Sequence, residues 1–550
     1  MGRYGRCSNN GWHNVLFEFI SVFCVLNVIV PTKRLGDSMI NIKRRKRQAF
    51  ENSNVLITGV MNSISNKDIL NKKVCLIYNI DELNSLIKDI EPELLSLAQS
   101  LQPDWAIPIV LQVIGELFYG RYTQYKHIGN YFKRSLAYLW QNSCTPHGDY
   151  KNVARLERLI SLCYVIETLY SFRKMFVAIP NLWFSFENGH AIIPNEFHAD
   201  FLNFGMMVSG KGKRFRVAET NSRLMNECPR PFLQGLIRVL DGEQPRQIEV
   251  FRGTFYEDVP GIENSECAKF WKEVFCRFSL YLATLLSCGD SEQPENVVLF
   301  KEFAIVCPDK YLTQDIAENS FWKLNWFKHQ SAECYGNLIV AKPIMRISPN
   351  GDFATSPVLI GDSLNHFVEN QLLGYSTRSP YLNLPSKIFK DAFSEKFEDQ
   401  CIQLFRNHGF VAGHILETGV WKTQNENITL GFSGENLFGE VDVFAFHPDR
   451  HIAFLIECKV LLDVQDSRSY QNIVSKLKDD SEGFRFKLRK KASWIRKAFD
   501  LNFGLGIEPV MILLTDIPLP VLGANDEEIA ITDYGRLEYW LETVDDKIIE

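Results

Sequence analysis

The sequence predicts a multidomain protein in which an α-rich segment and a mixed α+β segment precede a C-terminal α/β domain. Three observations carry that reading. The 550 residues suffice for about three domains. Between residues 105 and 176 apolar side chains recur at helical spacing. From residue 386 onward, long amphipathic runs alternate with short runs rich in Val, Ile and Phe. The divisions that follow are 1–50 as a disordered or artefactual extension with a basic arm, 51–200 as a mainly helical domain, 201–380 as a mixed α+β region, and 386–550 as the last domain.

Composition narrows the classes of function. A hydrophobic content of 46% with 13% aromatic residues describes a folded chain, not a disordered one. The net charge of -6 is mild, so any contact with nucleic acid has to come from local basic patches. The 13 cysteines are odd in number, scattered and free of C-x-x-C pairs, which points to reduced thiols in an intracellular, cytoplasmic protein. Cys144 and His147 form a lone C-x-x-H with no second half, which argues against a zinc module.

Residues 15–30 are apolar apart from Glu18, Ser21 and Asn27, too short and too interrupted for a membrane span. No stable membrane association is expected, with a signal anchor as the alternative. If translation starts at Met39, the residues before it are an extension. Lys43, Arg44, Arg45, Lys46 and Arg47 then form a basic arm able to touch phosphates, or else a plain solvated charge run. Residues 105–119 and 156–176 read as helices, the second with Leu156, Leu159, Cys163, Ile166, Leu169 and Phe172 on its buried face.

In the middle region Gly205, Gly210 and Lys211 are spaced almost as in a phosphate-binding loop. Gly212 stands where a Ser or Thr should hold magnesium, and the flanks read as two strands around a turn, so a basic hairpin tip is the plainer reading. A helix at 270–286 and buried strands at 296–300 and 338–341 follow, with no catalytic constellation among them. A polar stretch at 376–385 reads as a linker.

The last domain opens on a helix capped by Ser386 and ending near Gly409, with Phe389, Phe393, Phe397, Ile402 and Phe405 on its buried face. The stretch 439–460, G-E-V-D-V-F-A-F-H-P-D-R-H-I-A-F-L-I-E-C-K-V, then reads as a hairpin turning at Pro448 and Asp449. That turn is expected to set Asp442 opposite Glu457, where facing Cβ atoms lie about 4.5–5.5 Å apart. The apolar run 452–456 suits a strand covered on both faces, and Glu457 with Lys459 closes it. Buried charges of this kind need a partner or a metal. The bland alternative is a surface hairpin whose far end emerges into water.

Past the hairpin, 470–500 reads as one helix with Phe484, Leu488, Ala492, Ile495 and Phe499 as its stripe. Off that stripe stand Arg485, Lys487, Arg489, Lys490, Lys491, Arg496 and Lys497, a density that suits a polyanion-binding rim as well as a solvated face. Strands at 509–515 and 528–532 and a helix at 534–543 complete the chain.

G-E-V-D followed by a hairpin and E-C-K resembles the metal-dependent PD-(D/E)XK, or restriction-endonuclease-like, nuclease superfamily. The resemblance covers residues 386–550, with Val441 in place of the family's Pro. It implies a central mixed sheet flanked by helices, Asp442 and Glu457 as metal ligands, the carbonyl of Cys458 as a further ligand, and Lys459 as the residue that orients the attacking water. It also implies an acidic ligand on the first helix, a role that falls to Glu398, with Glu395 as the substitute. The literal Pro448-Asp449 is unsuitable, since at ~3.3 Å per residue Asp449 lies roughly 20 Å or more along the strand from Glu457.

The function this implies is a Mg2+-dependent (or Mn2+-dependent) endonuclease acting on nucleic acid, DNA first, with Lys487, Arg489, Lys490 and Lys491 against the backbone. The N-terminal region would choose the target, a partner protein or a second copy in a homo-oligomer, in a setting such as defence. The alternative is a catalytically silent scaffold of the same fold that binds nucleic acid or protein.

Overall fold

The computed structural model describes residues 35–65, 69–70, 74–118, 120–143, 148, 150–179, 181–198, 229–252, 296–301, 343–348, 352–367, 394–430, 437–460, 467–479, 481–516 and 528–548. The apolar run at 15–30, the C-x-x-H pair, the near phosphate loop at 205–212, the linker at 376–385 and the Ser386 cap lie outside the described residues.

Among the described residues, five α-helices build the N-terminal part: α1 (Leu35–Ser65), α2 (Ile80–Ser100), α3 (Pro103–Phe118), α4 (Gly129–Ser143) and α5 (Val153–Ala178). Asn79 starts α2 by accepting the backbone N–H groups of Asp81 and Glu82 at 3.0 and 2.9 Å. The stripe read from 156–176 is buried as its spacing requires, Leu156, Leu159 and Leu169 at 0% exposure. A small antiparallel sheet of β1 (Val74–Ile77), β2 (Phe184–Glu187) and β3 (His190–Ile192) caps the bundle.

The basic arm is not a loose extension. Lys43 to Arg47 lie on α1, where Ala49 is buried, and Arg45 reaches Asp104 and Asp352 at 3.1 Å each while Arg47 pairs with Glu51. A helix with an apolar face buried against α3 and α5 outcompetes the disorder that its charge run suggests.

In the middle region α6 (Pro229–Leu240), the strands β4 (Val298–Lys301), β5 (Met345–Arg346) and β6 (Asp352–Thr355), and α7 (Pro357–Phe367) are described. Leu299, Met345, Ala354 and Leu359 share one apolar cluster with the N-terminal helices, so that cluster runs across the division expected at residue 200.

The C-terminal part holds α8 (Glu395–Asn407), β7 (Val411–Ile415), β8 (Val420–Lys422), β9 (Asn427–Thr429), β10 (Val441–His447), β11 (Ile452–Lys459), α9 (Ser467–Lys478), α10 (Phe484–Phe503), β12 (Val510–Thr515), β13 (Ile529–Asp533) and α11 (Tyr534–Ile548). Its strands form one mixed sheet in the order β13-β12-β11-β10-β7-β8-β9, parallel from β11 to β13 and antiparallel elsewhere. Helices cover both faces. Phe397, Cys401 and Phe405 of α8 and Leu537 and Leu541 of α11 pack on Val443, Ala445, Ile456 and Cys458. Leu488, Ala492, Ile495 and Phe499 of α10 pack on Phe444, Phe446 and Leu455 of the other face.

Two local readings change. The single helix expected over 470–500 is two, because Asp479 turns the chain by accepting the N–H groups of Ser481 and Glu482, and Gly483 then passes so close to the Asp479 carbonyl that a Cβ would lie 2.4 Å from it. The strands β7 to β9, which join α8 to the hairpin, add three members to the sheet. Helix α9 also connects the two halves of the molecule, since Val474 belongs to the N-terminal apolar cluster and Leu477 to the C-terminal one. Among the described residues no helix is long and apolar enough to cross a membrane.

Candidate active site

The hairpin of β10 and β11 brings the predicted acids together by a slightly different turn. His447 pairs with Ile452 around a four-residue loop, so the turn is centred between Asp449 and Arg450, one position later than expected. That shift is what sets Asp442 opposite Glu457, one step beyond the Val443–Ile456 pair. A turn centred on Pro448 and Asp449 would have faced Asp442 with Leu455.

Asp442 lies in an irregularity of β10, whose pairing with β7 shifts register between Val441 and Phe444. Bulges of this kind re-aim a side chain at a sheet's functional end. Here Asp442 Oδ2 accepts the backbone N–H of Cys458 at 2.9 Å and stands 3.5 Å from Lys459 Nζ. Lys459 Nζ in turn lies 2.7 Å from Glu457 Oε1, and its charge sits 5.2 Å above the ring of Phe484, the first residue of α10. Two acids and an ammonium therefore meet where β11 ends. Beside them β12 runs parallel, the Asp516 N–H reaching back to the Lys459 carbonyl at 3.3 Å. Crevices at the carboxyl ends of parallel strands, where the sheet changes sense, are favoured places for ligands.

The fourth member of the group departs from the sequence reading. Lys491 is not part of a solvent-facing rim: it is 5% exposed and donates to Glu457 Oε2 at 2.6 Å. The signal is present in the numbering, because 491 lies three residues after Leu488 and four before Ile495, inside the apolar stripe. Arg485 is likewise buried, at 6% exposure. Of the other predicted backbone contacts, Lys487 and Lys490 are exposed, Lys490 over the ring of Phe486 at 5.5 Å, and Arg489 bonds Glu528 at 3.1 Å. Phe486 meets the half-exposed Phe438, four residues before Asp442, so aromatic and basic groups adjoin along this edge.

Glu398 forms no three-acid cluster with Asp442 and Glu457, although its charge acts on Cys458, the residue between Glu457 and Lys459. It sits on α8, which covers the opposite face of the sheet, and pairs with His414 Nδ1 of β7 at 3.7 Å. Glu395, the substitute, is exposed. Helical spacing does turn Glu398 toward the sheet, but spacing does not determine which strand or which face it meets. Cys458 sends its thiol to that same far face, beside Cys401, where burial pushes it well above the usual thiol range.

Electrostatics separate the two acids. Burial, helped by the charge of Glu457, raises the Asp442 carboxyl above its ordinary range in spite of Lys459. Burial acts the same way on Glu457, but Lys459 and Lys491 outweigh it and hold that carboxyl below the ordinary range. Lys459 is raised, the attraction of Asp442 and Glu457 exceeding the cost of burial. Paired titratable groups driven apart by their surroundings occur at acid–base sites and in structural ion-pair networks alike.

Among the described residues no group of three or more His, Cys, Asp or Glu side chains converges as a metal cage. A cage of that size is unnecessary for magnesium, which is typically held by one or two carboxylates together with waters and substrate phosphates. Asp442 and Glu457 supply that donor set, hard oxygen only. The residues fit a small divalent cation. Comparisons of the chain with family models, curated proteins and solved structures find no match.

Proposed function

We propose that the chain is a metal-dependent nuclease of the PD-(D/E)XK type, hydrolysing phosphodiester bonds in nucleic acid, DNA first. The observation that carries the reading is the meeting of Asp442, Glu457 and Lys459 at the end of β11, with Lys459 Nζ 2.7 Å from one acid and 3.5 Å from the other. The element order supports it: a helix, an antiparallel run of strands, a helical crossover and two parallel strands, with helices on both faces.

Asp442 and Glu457 would hold Mg2+ or Mn2+, with the Cys458 carbonyl as the third oxygen. A cation there supplies positive charge against the phosphoryl oxygens and acidifies an attacking water. Lys459, in contact with both carboxylates and the ring of Phe484, would hold that water in line and counter charge developing on the phosphorus oxygens. Lys487 and Lys490, exposed on α10 beside Phe486 and Phe438, offer charge to the backbone and a ring to a base.

One observation favours the second reading, a silent scaffold that binds nucleic acid without cutting it: both oxygens of Glu457 are already taken by lysines. Incubating the purified protein with plasmid, linear and single-stranded DNA, with and without Mg2+, separates the two. Cutting that needs the cation and disappears in Glu457→Ala and Lys459→Ala is the expected result; binding with no cutting under Mg2+ or Mn2+ would leave the scaffold.

A further inference from the structure

Glu457 is surrounded in a way that a simple metal ligand does not require. Lys459 takes Oε1 at 2.7 Å and Lys491 takes Oε2 at 2.6 Å, and the side chains of Glu457 and Lys491 are 7% and 6% exposed. These are short charge-assisted bonds, and water cannot take their place without movement. The local charge count is already balanced: two carboxylates, two ammonium groups. A divalent cation that binds Glu457 has to share an oxygen with an ammonium at contact distance or evict it, and like charges that close repel strongly away from bulk water.

The two lysines are not equally able to leave. Lys459 belongs to the same strand as Glu457, touches both acids and is covered by Phe484. Lys491 comes from α10, a separate element, and its ion-pair contact to this group is with Glu457. We propose that Lys491 is a built-in competitor of the metal, occupying Glu457 Oε2 and holding down the affinity of the site for divalent cations. This rests on the reading of Asp442 and Glu457 as a metal site. It gives Lys491 a regulatory part in place of the backbone contact that its sequence neighbours suggest.

The test is Mn2+ binding to the full-length protein stripped of metal, without nucleic acid, followed by the electron paramagnetic resonance of the free ion. Lys491→Met removes the charge at nearly constant volume. Lys491→Gln also removes it but leaves an N–H donor for Glu457, which preserves the packing if the methionine variant fails to fold. Both are expected to bind Mn2+ at least about tenfold more tightly than wild type, within the usual range of coupling between two ligands at one protein. Lys491→Arg, which keeps the charge, is expected to stay close to wild type. A purely structural role for Lys491 predicts weaker or unchanged binding in the neutral variants, and either result overturns the proposal, as does loss of the fold in both. Mn2+ binding no better in wild type than in Asp442→Asn would remove the metal-site reading itself, whereas binding that depends on Asp442 but ignores Lys491 would remove this inference alone.

Discussion

Two of the buried ionic groups among the described residues are built on different plans. In the helical half, Arg134 of α4 is 1% exposed, bonded to Glu167 of α5 and laid over the ring of Tyr170 at 5.1 Å. Although burial works against its charge, the coulombic pull of Glu167 raises the guanidinium further, and burial pushes the neighbouring Tyr138 and Cys163 up into their neutral forms. In the sheet half, two acids and two lysines share one strand end, and the acids are driven in opposite directions. The first arrangement ties two helices together. The second places like charges side by side, which costs stability and is what a site for a cation and a phosphate needs.

The comparison breaks if the two centres respond alike to the loss of one charge. Arg134→Ala is expected to cost about 3 to 5 kcal/mol, because it strands part of a buried pair and opens a cavity. Urea unfolding checks it, and cleavage per folded molecule should stay at the wild-type level. Asp442→Asn is expected to do the reverse, since it removes a carboxylate that burial already disfavours. Its unfolding midpoint without metal should equal or exceed that of wild type.

A smaller effect sharpens the contrast in pH. Asp442, raised above 3.8, binds its proton more tightly in the folded state, so stability rises as pH falls through its folded value. Glu457, lowered from 4.5, stabilises the fold above that value, and its contribution disappears as pH falls through the lower folded value. Without divalent cations the wild-type protein should therefore gain stability on mild acidification before losing it. In Asp442→Asn the initial gain should vanish, leaving only the loss. Thermal unfolding across about pH 3 to 7, the span in which carboxylates titrate, reads both, and a gain that survives the substitution would assign it to another group.

The hairpin was legible in the sequence because its information is local. Alternation of apolar and charged residues fixes strand faces, and the E-C-K closing an apolar run marks a charged end to a buried strand. Position was less legible than identity. A one-residue change in the centre of the turn decides whether Asp442 faces Glu457 or Leu455, and a Pro-Asp pair does not specify that by itself. The bulge at Asp442 depends on pairing with β7, a strand whose sequence, V-A-G-H-I, is too mixed to announce itself.

Charge misled where burial overruled it. Lys491 lies on the helical stripe of Leu488 and Ile495, yet a lysine in a basic run invites assignment to solvent, and only the facing Glu457 explains why it turns inward. The run from Lys43 to Arg47 misleads in the same way, since Asp104 and Asp352, far apart in sequence, hold Arg45. Glu398 shows the converse: its helical phase is as expected, but it lies 3.7 Å from His414 of β7 and forms no three-acid cluster with Asp442 and Glu457.

The central claim is that the acid pair at the end of β11 cuts phosphodiester bonds with the help of a divalent cation. Its most direct test is the cleavage of plasmid DNA in Mg2+ by wild type and by Asp442→Asn, each shown to be folded by its unfolding midpoint. The account predicts that wild type cuts only with the cation and that the variant is slower by at least about a hundredfold. Equal cutting by both proteins would contradict it.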